Sequence, residues 1–122
     1  MDLHESGEMY LETILMLKKK NEYVRSIDVA HEMNFSKPSV SRAIKLLKES
    51  KLLTVDQKGY IDFTDEGRKI AEKVYNRHTT LTRFLVGLGV SDKQAEDDAC
   101  RLEHIISEES YTCIKEYLSK QS

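Results

Sequence analysis

The sequence predicts a mainly α chain in two parts: helices with one small β-hairpin over residues 1–64, then an all-α part over residues 65–122. Three observations carry that expectation. Apolar residues recur at helical spacing along most of the chain, with one Pro and five Gly to interrupt them. The period changes after Lys51, where two β-prone runs flank a turn containing Gly59. Charge is segregated: residues 18–60 hold ten Lys/Arg against five acids, and the remainder holds nine against sixteen. At 122 residues and 39% hydrophobic content, the chain is long enough to bury a core.

The elements follow in order. Met9, Tyr10, Ile14, Leu15 and Leu17 form the apolar stripe of a first helix over 4–20, which ends in three lysines. A short helix over 27–33 follows, with Ser26 as its expected N-cap. Asn34-Phe35-Ser36 makes a tight connection. Ser36 caps a third helix that tolerates Pro38 in its first turn and carries Val40, Ala43, Ile44, Leu46 and Leu47 as its apolar set. A short helix, a three-residue turn and a longer basic helix make a helix-turn-helix. The runs 52–55 and 60–64, joined by Asp56-Gln57-Lys58-Gly59, add a hairpin in the position of a wing. Thr64 caps a long helix to about Val86, and Gly87-Leu88-Gly89 breaks it. Ser91 or Asp92 opens a fifth helix, and a last one covers 108–120.

Composition narrows the function. No run of about 18 apolar residues exists to span a membrane. The N-terminal MDLHESGEMY lacks the basic-then-apolar pattern of a signal peptide. Two cysteines thirteen residues apart fit a reducing cytosol better than a disulfide scaffold, so a cytoplasmic location is expected. The basic window is the footprint of a phosphate-facing surface. On the third helix, Ser36, Lys37, Ser39, Ser41, Arg42 and Lys45 offer hydroxyl and cationic donors to a major groove. Arg42 suits bidentate reading of a guanine, and the others suit phosphates. Lys58 at the hairpin tip would reach flanking backbone or the minor groove. The competing reading of these residues is a winged helix used for protein contacts.

The acidic half carries a different chemistry. In Cys100-Arg101-Leu102-Glu103-His104, read as a helix, positions 100, 103 and 104 share one face. Thiolate, carboxylate and imidazole there offer soft, hard and borderline donors to one divalent ion. Glu96 stands one turn earlier on the same face. The plain alternative is a small core cysteine beside a solvated Glu/His pair. His4 and His31 read as surface residues, and Cys113, with no ligand-type helical neighbour, as buried filler.

Gly7-Glu8-Met9-Tyr10-Leu11, the winged helix-turn-helix, Thr64-Asp65-Glu66-Gly67-Arg68, Arg77-His78 and Asp98-Ala99-Cys100-Arg101-Leu102-Glu103-His104 occur in one order. In that combination the chain resembles the diphtheria toxin repressor family of metal-dependent transcription regulators, including its manganese-transport branch. The resemblance implies a winged-helix DNA-binding domain followed by a helical domain that holds metal and dimerises, with metal favouring a dimer that fits a palindromic operator. It places the iron-type primary ligands at Met9, Cys100, Glu103 and His104, and a neighbouring-site ligand at His78. Glu12 matches a carboxylate of the manganese branch. Three departures are expected to weaken or rebuild the second site: Thr82 where iron-type relatives carry a glutamate, Glu96 where they carry a histidine, and no C-terminal SH3-like domain.

The expected function is a homodimeric, metal-activated repressor of metal-uptake genes, bound to double-stranded operator DNA, with no membrane and no small-molecule substrate. Two sulfur donors favour Fe(II), with Mn(II) second and Co(II), Ni(II) or Zn(II) as substitutes in vitro. The apolar stripes Leu81, Phe84, Leu85, Leu88 and Tyr111, Ile114, Tyr117, Leu118 are expected in core and dimer interface. Two other classes compete. A metalloenzyme would need a general base that no residue supplies, and a winged-helix protein with purely structural zinc would bind DNA equally after mild chelation.

Overall fold

The computed structural model describes residues 5–121, apart from the side chain of Glu5, so His4 lies outside the described residues. The chain is mainly helical: α1 (Glu5–Lys20), α2 (Ser26–Met33), α3 (Lys37–Glu49), β1 (Leu53–Val55), β2 (Ile61–Phe63), α4 (Asp65–Gly87), α5 (Asp92–Leu102) and α6 (Glu108–Lys120). It forms two compact units, Met1–Glu72 and Lys73–Ser122. Among the described residues, no helix is long and apolar enough to cross a membrane.

In the first unit α1 packs on α2 and α3, and α3 on β1. Leu11, Ile14, Val29, Val40, Leu52, Leu53 and Ile61 are fully buried there. Ser36 caps α3 as the sequence predicts, its Oγ accepting from the Ser39 N–H at 3.3 Å. Ser26 does not cap α2. It is the first helical residue, and extended Arg25 precedes it as N-cap. The Asp28 carboxylate reaches back to accept the Arg25 N–H at 2.8 Å, anchoring the helix start one residue earlier than the serine suggests. Asn34 closes α2 in the left-handed region (φ 57°, ψ 43°), which Asn tolerates better than most residues. Leu46, expected on the apolar stripe of α3, is 63% exposed. It lies about 200° around the helix from buried Ile44.

The hairpin is antiparallel, with Leu53 opposite Phe63, Thr54 opposite Asp62 and Val55 opposite Ile61. Asp56 Oδ1 accepts from the Lys58 and Tyr60 N–H groups at 2.9 Å, and Gly59 takes φ 84°. The strands are shorter than the β-prone runs because the Leu52 N–H closes the end of α3 on the Leu47 carbonyl. Lys51, just before it, adopts φ 64°. At the root of the wing, Lys18 Nζ stands 3.3 Å from Asp62 and donates to the Ile61 carbonyl. The Phe63 N–H bond and then Lys18 hold the Asp62 carboxyl below the usual carboxylate range.

Thr64 Oγ1 caps α4 by accepting the Gly67 N–H at 3.1 Å and donates to the Lys51 carbonyl at 2.8 Å. Gly67 packs its backbone on Leu52 so tightly that a Cβ there would overlap the Leu52 carbonyl. That close approach is the physical reason for glycine in Thr64-Asp65-Glu66-Gly67-Arg68.

In the second unit Gly89 (φ 107°) turns the chain after α4, and Ser91 and Ser107 cap α5 and α6. Val74, Leu81, Ala95, Ala99 and Tyr111 are buried. Leu88 and Tyr117, from the two predicted apolar stripes, are 63% and 50% exposed. Cys113 is exposed rather than buried filler. It sits about 200° around α6 from Tyr111, which supplies the buried face.

Candidate metal centre and nucleic-acid interface

On α3, Val40, Ile44 and Leu47 turn inward. That leaves Lys37, Ser41, Arg42 and Lys45 exposed, and Lys58 is exposed at the hairpin turn. Four exposed donors on one amphipathic helix form a surface suited to an anionic groove. Ser36 and Ser39 are engaged with each other instead: the Ser36 hydroxyl donates to Ser39 Oγ at 2.9 Å while it caps the helix. A further cluster flanks the wing. Arg25 Nη2 donates to the Tyr60 hydroxyl at 3.2 Å, and its guanidinium lies 4.7 Å from the centre of that ring. Tyr23 stacks on the other aromatic at 4.5 Å. Spacing gives no signal for this group, since its members come from a loop and a strand end.

In the second unit, four of the candidate metal ligands converge. Glu103 is 1% exposed, and its two oxygens face two imidazoles. His78 Nδ1 on α4 lies 2.8 Å from Glu103 Oε2, and His104 Nε2 lies 3.3 Å from Glu103 Oε1. Glu96 Oε1 on α5 stands 4.0 Å from His78 Nε2, with its side chain 67% exposed. Cys100 is half-buried on the last turns of α5. His104 is not on the helix as its spacing suggests. α5 ends at Leu102, Glu103 is its C-cap, and the His104 N–H bonds the Arg101 carbonyl in a tightened turn. The imidazole therefore meets Glu103 from a turn, with its side chain only 1% exposed.

A buried carboxylate costs several kcal/mol unless it is compensated. Among the described residues Glu103 Oε1 has no hydrogen-bond donor. A buried carboxylate flanked by two imidazoles, with one oxygen left without a hydrogen bond, is a donor set that fits a divalent transition metal. Thr82 Oγ1, one turn after His78 on α4, is also buried without a hydrogen-bond partner among the described residues.

Arg77, adjacent to His78, binds the same stretch through its backbone. Its Nη1 donates to the carbonyls of Glu103 (3.3 Å) and Ile106 (3.1 Å), and Nη2 to Glu108 Oε2 at 2.7 Å. That bond holds the Glu108 carboxyl below the usual carboxylate range. The remaining candidates, Met9 and Glu12, belong to the first unit. They share a face of α1, where Met9 is half-buried and Glu12 is 7% exposed.

Comparison with known proteins agrees with this chemistry. Residues 2–61 match the model of the iron dependent repressor N-terminal DNA binding domain, and residues 64–121 that of the iron dependent repressor metal binding and dimerisation domain. An uncharacterized HTH-type transcriptional regulator of Methanocaldococcus jannaschii is 31% identical over 97% of this chain and 96% of its own length. The diphtheria toxin repressor of Corynebacterium glutamicum is 31% identical over 88% of this chain and 48% of its own. The chain thus spans about half the length of the diphtheria toxin repressors it matches. A solved structure described as a manganese-dependent transcriptional repressor in complex with manganese superposes with a TM-score of 0.85 at 29% identity, covering 93% of this chain and 52% of that one. The manganese regulator SloR superposes with a TM-score of 0.82 at 26% identity, covering 93% and 53%. With both halves matched in order, this chain belongs to the iron-dependent, diphtheria toxin repressor family of metal-dependent transcriptional repressors, which are DNA-binding regulators and not enzymes.

Proposed function

We propose that the protein is a cytoplasmic, homodimeric repressor, activated by Fe(II), that binds a palindromic operator and controls metal-uptake genes. Residues 1–64 form its DNA-binding domain and residues 65–122 its metal-binding and dimerisation domain. The observation that carries the metal reading is Glu103, a buried carboxylate set between His78 and His104 whose Oε1 has no hydrogen bond among the described residues. By the family resemblance, Met9, Cys100, Glu103 and His104 are the primary ligands, with Glu12, His78 and Glu96 assigned to a neighbouring position. When bound, the ion supplies positive charge that compensates the acids that hold it. Glu12, 7% exposed on an otherwise apolar face of α1, is a second buried acid of ligand type.

The protein's own residues then divide the work. Arg42 reads a base edge, while Lys37, Ser41, Lys45 and Lys58 hold phosphates, with Ser36 and Ser39 fixing the start of the helix. Met9 and Cys100 supply two sulfur donors, which suit Fe(II) better than hard Mn(II). A second reading, activation by Mn(II), is favoured by Glu12 and His78 and by the similarity to the manganese-dependent repressor described above.

Operator binding titrated anaerobically with Fe(II), Mn(II) and Zn(II) at controlled free concentrations tests both. The iron reading expects metal-stimulated binding with its midpoint at lower free Fe(II) than Mn(II). The reverse order replaces iron by manganese. Equal binding after mild chelation sinks the metal switch and leaves a structural ion.

A further inference from the structure

We propose that Arg77 is a positioning residue of the metal centre, a guanidinium clamp that sets the pose of the Glu103–His104 turn. The proposal rests on the reading above, in which Glu103 and His104 hold the ion.

Arg77 and His78 are neighbours on α4, and both reach Glu103. His78 engages its carboxylate at 2.8 Å, and Arg77 its carbonyl at 3.3 Å. Glu103 is therefore pinned at its backbone and at the end of its side chain. The carbonyls that Arg77 holds lie where α5 has ended, so they lack helical partners and invite a cationic donor. One nitrogen serves both carbonyls, Glu103 and Ile106, and so spans the four-residue segment that carries His104 directly after Glu103.

The other terminal nitrogen is fixed at 2.7 Å by Glu108, in the first turn of α6. The Tyr111 ring lies 5.3 Å from the guanidinium carbon, and the Arg77 side chain is only 11% exposed. Four constraints on one planar fork leave it little freedom. A lysine at this position keeps the charge but has one nitrogen, so it cannot reach the carbonyl pair and Glu108 from two separate nitrogens of a rigid planar fork. The glutamate is the outermost of these partners, at 67% side-chain exposure, and Lys73 also approaches it at 3.8 Å. Its removal leaves both carbonyl bonds in place.

The test is anaerobic Co(II) binding to the full chain, read as affinity and as the ligand-field absorbance spectrum, alongside the melting curve without metal. Arg77→Lys is expected to keep a cooperative melt near the parent's and to weaken Co(II) binding about 10–100-fold, the loss typical of residues that orient metal ligands. Its Co(II) spectrum should also change in band position or intensity. Arg77→Ala should extend both effects, and Glu108→Gln should stay close to the parent. Parental affinity and spectrum in Arg77→Lys would overturn the proposal. So would weaker binding with an unchanged spectrum and a melt lowered in proportion, which marks a purely structural role. Co(II) affinity unaffected by His104→Ala would instead sink the ligand assignment, and the positioning role with it.

Discussion

The face of α3 and the surroundings of Glu103 solve opposite problems with charge. On α3, Lys37, Arg42 and Lys45 stand in solvent around an apolar inner row, so each cation is cheap to keep and ready for a partner. Around Glu103, the carboxylate and its two imidazoles lie at 0–18% side-chain exposure, and the acid must be compensated where it is. Surface charge is tuned by what approaches it from outside, whereas a buried acid commits the fold to a particular neighbour. One region is therefore expected to respond smoothly to ionic strength. The other should respond sharply to the loss of one side chain.

The largest break of that contrast is His104→Ala. It removes an imidazole from the buried set while leaving the helices intact, and it should weaken metal binding by at least about 100-fold, at or above the upper end for orienting residues. Metal-stimulated operator binding, measured by anisotropy, should vanish with it. Undiminished stimulation would take His104 out of the site.

Next in size is Gly67→Ala. The added Cβ meets the Leu52 carbonyl, a backbone group that cannot rotate away. Overpacking of this kind costs about 1–3 kcal/mol, readable as a lower melting temperature. An unchanged melt would mean that the start of α4 is free to shift from Leu52.

The exposed face gives graded effects. Arg42→Ala should cost about 1–3 kcal/mol and relax preference at one base position per half-site. Lys58→Ala should weaken all sequences alike and flatten the salt dependence. Identical, sequence-independent losses from both would reduce Arg42 to a phosphate contact.

The smallest effect concerns pH. Asp62 has its carboxyl held below the usual range in the folded state by the Phe63 N–H and Lys18. A depressed acid contributes stability that is complete above its unfolded value and is lost as pH falls through the folded one. With its side chain 62% exposed, the contribution is modest. Asp62→Asn should therefore flatten the decline of melting temperature on the acid side of the ordinary carboxylate range and leave it flat near neutrality. An equal decline in parent and variant would remove Asp62 from the acid response.

What could be read without the fold divides along the same line. The helix over 108–120, the Ser36 cap, the hairpin turn at Gly59 and the basic face of α3 all depend on residues close in sequence, and they were legible from period and turn chemistry. The choice of Arg25 over Ser26 as cap of α2 was not, because it turns on the Asp28 carboxylate winning a local competition. Glu103 and His104 were recognisable as ligand types from their spacing, yet their geometry was not. The spacing implies a continuing helix, and the chain turns after Leu102. Arg77 carried no spacing signal for its role because its partners lie 26 to 31 residues away. The exposure of Cys113 was hidden for the same reason: which face of α6 is covered depends on where Tyr111 is buried.

Lys51 carries a quieter consequence. The residue after a helix end in the left-handed region is ordinarily glycine, and a side chain there costs about 1–2 kcal/mol. The chain forgoes that relief and keeps a cation just beyond the C-terminal, electronegative end of α3. Lys51 is thus a position where backbone relief and charge at the helix end pull in opposite directions. A laboratory search for heat-tolerant variants would drift toward glycine there, exchanging a cation at the helix end for an unstrained backbone.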